Sequence, residues 1–158
     1  MSALRISLRA GERIFVNGAV MRPDRKVTLE FLNTVSFLLE QHVMTPEETT
    51  TPLRQLYFMI QTAMIDPNEA GIARAMAAKS IQNMMSVVST SELRDELFAI
   101  GDLLQRQRFF DALRHIRKLF PLEERVMARA ILESANDDGA HAPDSMPSAW
   151  PTGVVSCK

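Results

Sequence analysis

Catalysis needs side chains that titrate, attack or coordinate in useful company, and this 158-residue chain places few of them together. The three histidines, His42, His115 and His141, fall in three separate segments, and none stands at metal-ligand spacing from a second ligand. A lone Cys157 excludes an internal disulfide framework and a cysteine-based zinc site. Gly11 and Gly18 belong to turns and Gly101 to a helical pattern, so no glycine loop cradles a phosphate. Nucleophile-elbow spacing is also absent. The adjacent acids Glu47-Glu48 and Glu123-Glu124 read as first-turn residues that complement helix dipoles. The expectation is a protein without enzymatic activity, cofactor or metal.

The basic residues are more informative. Residues 1–26 carry Arg5, Arg9, Arg13, Arg22, Arg25 and Lys26 against Glu12 and Asp24, a local balance of +4 within a chain whose total is −1. On a strand reading, Arg5, Ser7 and Arg9 share one face, and Arg13 and Phe15 share a face of the next strand. Arginine interleaved with an exposed ring suits single-stranded RNA: guanidinium groups neutralise phosphates while the ring stacks a splayed base. The competing reading has the arginines solubilise the outer face of a sheet while Phe15 packs under a helix. A second cluster, Arg106, Arg108, Arg114, Arg117 and Lys118, contains one acid, Asp111. Arg114, Arg117 and Lys118 lie at i, i+3 and i+4 and share one helical face, either a second phosphate-contacting surface or a solvated one. Six methionines (Met59, Met64, Met76, Met84, Met85 and Met127) fall in helical patterns, where they serve as core filler or line an adaptable groove for a partner helix.

The elements that must hold these residues change period partway along the chain. Leu4, Ile6 and Leu8 alternate with polar residues, and Asn17-Gly18 between apolar runs signals a type I′ hairpin. Val27, Leu29 and Phe31 alternate again, Asn33-Thr34 offers a tip, and Val35, Phe37 and Leu39 follow. From Thr51-Pro52, a cap followed by proline at the first helical position, Leu53, Leu56, Tyr57, Ile60 and Met64 recur at helical spacing. Asp66-Pro67-Asn68-Glu69 and Ser89 to Glu92 read as two further helix starts, and Pro121 as the opening of a last helix. The expected fold is α+β: a small N-terminal antiparallel sheet of about five strands over residues 1–44, packed with a bundle of about five helices over 51–135. From Asn136 onward periodicity is lost, and a disordered tail over 136–158 is expected.

Composition agrees with a globular chain, with 46% apolar and 23% charged residues. A chain of this length buries roughly 70% of its unfolded surface without staples. Its apolar runs are far shorter than the ~18 residues a bilayer requires, so no membrane association is expected. The N-terminal MSALRISLRAGER places arginine where a signal peptide needs an apolar stretch, which points to a cytoplasmic location.

Gly11-Glu12, Val16-Asn17-Gly18-Ala19, Asp24-Arg25-Lys26 and Thr51-Pro52-Leu53-Arg54-Gln55-Leu56-Tyr57 occur in an order and spacing that resemble the FlbT family of flagellar biosynthesis repressors, over about residues 4 to 132. The resemblance implies a post-transcriptional regulator that associates with the 5′ untranslated leader of flagellin mRNA, limits translation and promotes decay until the hook is complete. It also implies a companion protein, FlaF, acting in the opposite sense, and in some relatives a net activation. A competing function is a protein-interaction adaptor that binds flagellin or FlaF through the Met-rich helices. The resemblance carries over no RNA-contacting residue. The expected contact surface therefore comes from charge placement alone: Arg5, Arg9, Arg13, Phe15, Arg22, Arg25 and Lys26, with Arg114, Arg117 and Lys118 as a second basic face.

Overall fold

The computed structural model describes residues 4–137. The chain divides into two compact units, Met1–Glu123 and Glu124–Lys158. The expected tail lies outside the described residues except for Asn136 and Asp137, which complete the last helix.

The first unit is α+β, as the two hydrophobic periods require. Strands β1 (Leu4–Leu8), β2 (Ile14–Val16), β3 (Ala19–Met21), β4 (Val27–Phe31) and β5 (Phe37–Leu39) precede the helices. They form two antiparallel sheets instead of one: a ribbon of β1 and β4, and a three-stranded sheet ordered β3-β2-β5. Asn33-Thr34 is therefore not a hairpin tip, because β4 and β5 never pair. The alternation patterns explain the partition. Pairing Leu4 with Phe31, Ile6 with Leu29 and Leu8 with Val27 gathers six apolar side chains on one face of the ribbon. Pairing Phe15 with Leu38 sets a half-buried ring beside a buried leucine on the core side of the second sheet. Phe37 joins the two sheets to the helices: its ring stacks on Phe31 at 5.3 Å and on Phe110 at 5.5 Å.

Asn17 and Gly18, with φ of 48° and 85°, make the β2–β3 turn that the sequence announces. Gly18 is needed twice over. A Cβ there would approach Pro67 Cδ at 2.6 Å, because the hairpin tip rests against the connection between the first two helices.

Helices α1 (Pro52–Ile65), α2 (Ala70–Val87), α3 (Ser91–Gln105) and α4 (Phe109–Asp137) complete the described residues. In α1, the Thr51 hydroxyl accepts the Arg54 N–H at the N-terminus, and Leu53, Leu56, Tyr57, Ile60 and Met64 are buried. Around them pack Ala77, Ile81 and Met84 of α2, Leu93, Leu97 and Ile100 of α3, and Ala112, Leu113, Ile116 and Leu119 of α4. Met64 and Met84 thus belong to the core, whereas Met76 is exposed.

Three expected helix starts differ in the structure. Asp66 closes α1 instead of opening α2: its carboxylate accepts the Asn68 N–H at 2.9 Å, a side-chain turn that delays α2 to Ala70. Thr90, without a side-chain cap bond, precedes α3, so the Ser89–Glu92 box does not form. Pro121 lies inside α4 and opens no new helix. Interior proline costs a helix ~3 kcal/mol, and burial of Leu119 before it and Glu123 after it holds the helix together across that defect.

The buried polar groups tie the layers to α1. Gln61 spans the backbone of Met44, accepting its N–H at 2.7 Å and donating to its carbonyl at 2.8 Å. Tyr57 Oη donates to the His42 carbonyl at 2.6 Å. Glu123, 5% exposed, accepts the Thr51 hydroxyl at 2.6 Å and the Leu53 N–H at 2.8 Å. Expected to complement the start of its own helix, it instead complements the N-terminus of α1.

Replacing Glu123 by alanine strands the Leu53 N–H in a dry site, so urea denaturation should show a loss of about 2–3 kcal/mol, with Glu123→Gln losing less because an acceptor remains. Gly18→Ala should lose more than about 1 kcal/mol in the same assay, from positive φ and the contact with Pro67 combined.

Candidate nucleic-acid interface

The polar face of the β1–β4 ribbon is built by cross-strand pairs. Arg5 lies opposite Glu30 and forms an exposed ion pair with it at 3.2 Å, and Ser7 and Thr28 hydroxyls meet at 3.3 Å. The ladder ends at Leu8 and Val27, so the chains leave it with Arg9 on one side and Lys26 on the other. Both side chains line a shallow groove of about 730 Å³ with Ser7, Glu12, Glu40 and Gln41. The two acids are committed elsewhere. Glu12 accepts the Arg9 backbone N–H at 3.0 Å, and Glu40 is held by Arg13. Among the described residues neither the Arg9 guanidinium nor the Lys26 ammonium has an ion-pair partner. Both side chains are exposed just beyond the end of the ladder, so two cations border one groove.

The turn after β1 and the loop before β4 are pinned together by the Gly11 N–H, which donates to the Pro23 carbonyl at 2.8 Å. That bond brings Arg22 and Arg25 to the same end of the ribbon as Arg9 and Lys26. Arg25 approaches Asp24 only at 3.9 Å with both side chains in water, a contact that leaves its charge available.

Arg13 and Phe15 are placed differently from the expectation. Arg13 donates from Nε and Nη2 to Glu40 Oε1 at 2.9 and 2.7 Å, while its backbone N–H donates to Oε2 at 2.8 Å. This clamp fastens the start of β2 to the residue after β5, and the guanidinium beside it holds the Glu40 carboxyl below its ordinary 4.5. Phe15 occupies the central strand of its sheet and packs half-buried against the core.

The second basic cluster sorts the same way. Arg106 pairs with Asp102 and Arg108 with Asp111, leaving Arg114 and Lys118 exposed one turn apart. Arg117 is half-buried near His42 and Tyr57. Burial pushes His42 below its ordinary 6.5, and the Arg117 charge adds to the effect. Burial likewise raises Tyr57, opposed by Arg117. Residue spacing does not single out Arg54, whose guanidinium sits 4.6 Å from the centre of the Phe120 ring. His115 meets Glu96 across α3 and α4. Among the described residues, no three His, Cys, Asp or Glu side chains gather to hold a metal ion, and no helix is long and apolar enough to cross a membrane.

These shifts set a sign for pH dependence. His42 is depressed in the fold, so as pH falls below 6.5 the unfolded chain takes up its proton first and stability declines. Below 4.5 the Glu40 carboxyl adds a second decline, its contribution being lost as pH falls toward the depressed folded value. Thermal unfolding between pH 8 and pH 3 should show both stages, and His42→Gln should remove the upper one.

Comparison with known proteins converges on one family. The profile described as "Flagellar protein FlbT" matches residues 4–127. The "Probable flagellum biosynthesis repressor protein FlbT" of Rhizobium leguminosarum bv. trifolii (strain WSM2304) is 53% identical over 126 residues, covering 80% of this chain and 85% of the relative. The protein of the same name in Brucella anthropi is 49% identical over 125 residues, covering 79% of this chain and 82% of that one. No solved structure matches the chain. The profile spans both sheets and the first unit from Leu4 onward, and the chain belongs to the FlbT family of flagellar proteins.

Proposed function

We propose that this protein is a post-transcriptional regulator that binds the 5′ untranslated leader of flagellin mRNA through the end of the β1–β4 ribbon. Relatives named as probable flagellum biosynthesis repressors support regulation of flagellar synthesis, and the family is one of regulators rather than enzymes. The observation that carries the RNA reading is the facing pair Arg9 and Lys26, left without carboxylate partners in a groove that also offers the hydroxyl of Ser7 and the amide of Gln41. Phosphate is an anion that two such cations attract, and hydroxyl and amide donors suit a ribose-phosphate backbone. Arg22 and Arg25 extend the surface, and Arg5 joins it by exchanging Glu30 for phosphate. Arg114, Arg117 and Lys118 are a second candidate face.

The action is steric. A bound protein occludes the leader against ribosomes, represses translation and leaves the message to a separate ribonuclease, which places the protein in the cytoplasm where the leader is translated. A formal charge of −1 gives little long-range attraction, so recognition rests on the local cations and on the shape of one leader.

Filter binding to the flagellin leader across a salt series tests this. Each phosphate contact contributes ~0.7 to the log–log salt slope for a single strand, so Arg9→Gln/Lys26→Gln should flatten the slope by roughly 1.4 and weaken binding at least tenfold. Arg13→Gln, which breaks the clamp to Glu40, should lower stability and leave the slope unchanged. Unaltered affinity and slope in the double variant would sink this surface as the RNA site. Absence of leader binding by the wild type, together with capture of purified FlaF or flagellin after nuclease treatment, would instead establish the adaptor reading.

A further inference from the structure

A single turn of 3-10 helix, Glu40–His42, separates the two basic surfaces of the first unit. Its first two residues wall the groove that Arg9 and Lys26 line, where Gln41 is exposed. The third, His42, lies toward α4, and the charged group that acts on its ring is Arg117. Ring contacts fix the same neighbourhood independently. Phe110 and Phe120 stand seven residues before and three after Arg117, on one side of α4. Phe110 stacks on Phe37 of β5 at 5.5 Å, and Phe120 packs at 6.0 Å on Tyr57, whose hydroxyl donates to the His42 carbonyl at 2.6 Å. The chain from β5 to His42 is therefore laid along the side of α4 that carries Arg117. Gln41 and His42, neighbours whose α-carbons lie ~3.8 Å apart, border one basic surface each.

The charges along this line are cationic and open. Arg117 is half-buried and makes no hydrogen bond or ion pair with another described residue, and Arg114 and Lys118 beside it are exposed. The neighbouring acids are bonded elsewhere. Glu40 is clamped by Arg13, Glu48 accepts the Thr45 N–H at 2.7 Å, Asp111 pairs with Arg108, and Glu123 serves the start of α1. Glu96 of α3 meets His115, two residues from Arg117 and so on nearly the opposite side of α4. Helix α1 brings no acid, and its Arg54 lies over the Phe120 ring. Glu47, exposed in the next turn, is the one acid of residues 40–48 without such a bond.

We propose that the two basic surfaces are one RNA track: the leader strand leaves the Arg9–Lys26 groove, crosses the Glu40–His42 turn and continues along Arg117, Arg114 and Lys118 of α4. The inference rests on the RNA reading and extends it, because it makes the second face part of the same complex. A flexible polyanion whose charges recur along its backbone is the ligand that fits a line of cations with its carboxylates bonded elsewhere. Arg117 is the strongest single contact on the helix, since a partly buried charge pair is screened least by water and salt.

Fluorescence anisotropy of the labelled flagellin leader, titrated with the full chain across a salt series, tests it. One leader should bind per chain. Arg114→Gln/Lys118→Gln, at two exposed positions, should flatten the log–log slope by roughly 1.4, and combining it with Arg9→Gln/Lys26→Gln by roughly 2.8. Arg117→Gln should weaken binding about tenfold, while Arg117→Lys, which keeps the charge, should retain most of the slope. Circular dichroism should be unchanged in the exposed variants. A leader that responds to Arg9→Gln/Lys26→Gln but to neither Arg114→Gln/Lys118→Gln nor Arg117→Gln overturns the track and leaves the ribbon site standing. Sensitivity confined to the α4 variants overturns it as well and moves the site to that helix. Two leaders per chain, each lost with one pair of substitutions, replaces the track by two separate sites. A wild type that binds no leader overturns the RNA reading itself.

Discussion

Burial of α1 is the constraint on which the first unit depends. Leucine, isoleucine and tyrosine side chains of this helix are surrounded by β5 and by the other three helices, and a helix so enclosed must satisfy its orphan backbone donors without water. Glu123 does so from a position 72 residues away from Thr51. Its carboxylate meets the Thr51 hydroxyl and the Leu53 N–H where the helix dipole favours negative charge. Tyr57 and Gln61, one and two turns further along, satisfy the backbone of the segment arriving from the strands. No buried side-chain nitrogen or oxygen among the described residues lacks a partner, so the helix is polar where it must be and apolar elsewhere.

The strand region then has a limited choice. A two-stranded ribbon is marginal on its own, and β1–β4 is held by burial of Leu8 and by the aromatic column from Phe31 through Phe37 to Phe110. Within that frame, cations divide into two kinds. Arg5, Arg13, Arg106 and Arg108 meet carboxylates, and the Arg13–Glu40 clamp fastens two strands of one sheet. Arg9, Arg22, Lys26, Arg114 and Lys118 are exposed with no ion-pair partner among the described residues. The charge that composition counts as one block is thus partly structural and partly available to a ligand.

Much of the fold was legible because its signals are local. Asn17-Gly18 specifies its turn through the φ values the two residues tolerate, and Thr51-Pro52 starts α1 through a hydroxyl and a missing donor. Helix and strand periods follow from geometry that repeats every few residues. The exceptions arise where a competing turn or tertiary packing overrides the local signal. Asp66-Pro67-Asn68-Glu69 has the composition of a helix start, yet Asp66 spends its carboxylate on a turn between two packed helices. Pro121 has the look of a first helical residue, yet packing carries α4 through it.

The same division holds for the candidate site. The sequence alone determined the α+β class, the five strands, the concentration of cations in residues 1–26 and the resemblance to a regulator family, since each depends on residue type and short-range spacing. Only the tertiary structure decided that the strands form two sheets, that Phe15 faces the core, and that Arg5 and Arg13 are engaged by acids 25 and 27 residues away. It also set Arg9 and Lys26 at adjoining strand ends, in a groove whose two acids, Glu12 and Glu40, bond elsewhere. Charge is a property of the residue, but whether that charge is spent or free is a property of its neighbours, and neighbours are chosen by pairing register and packing.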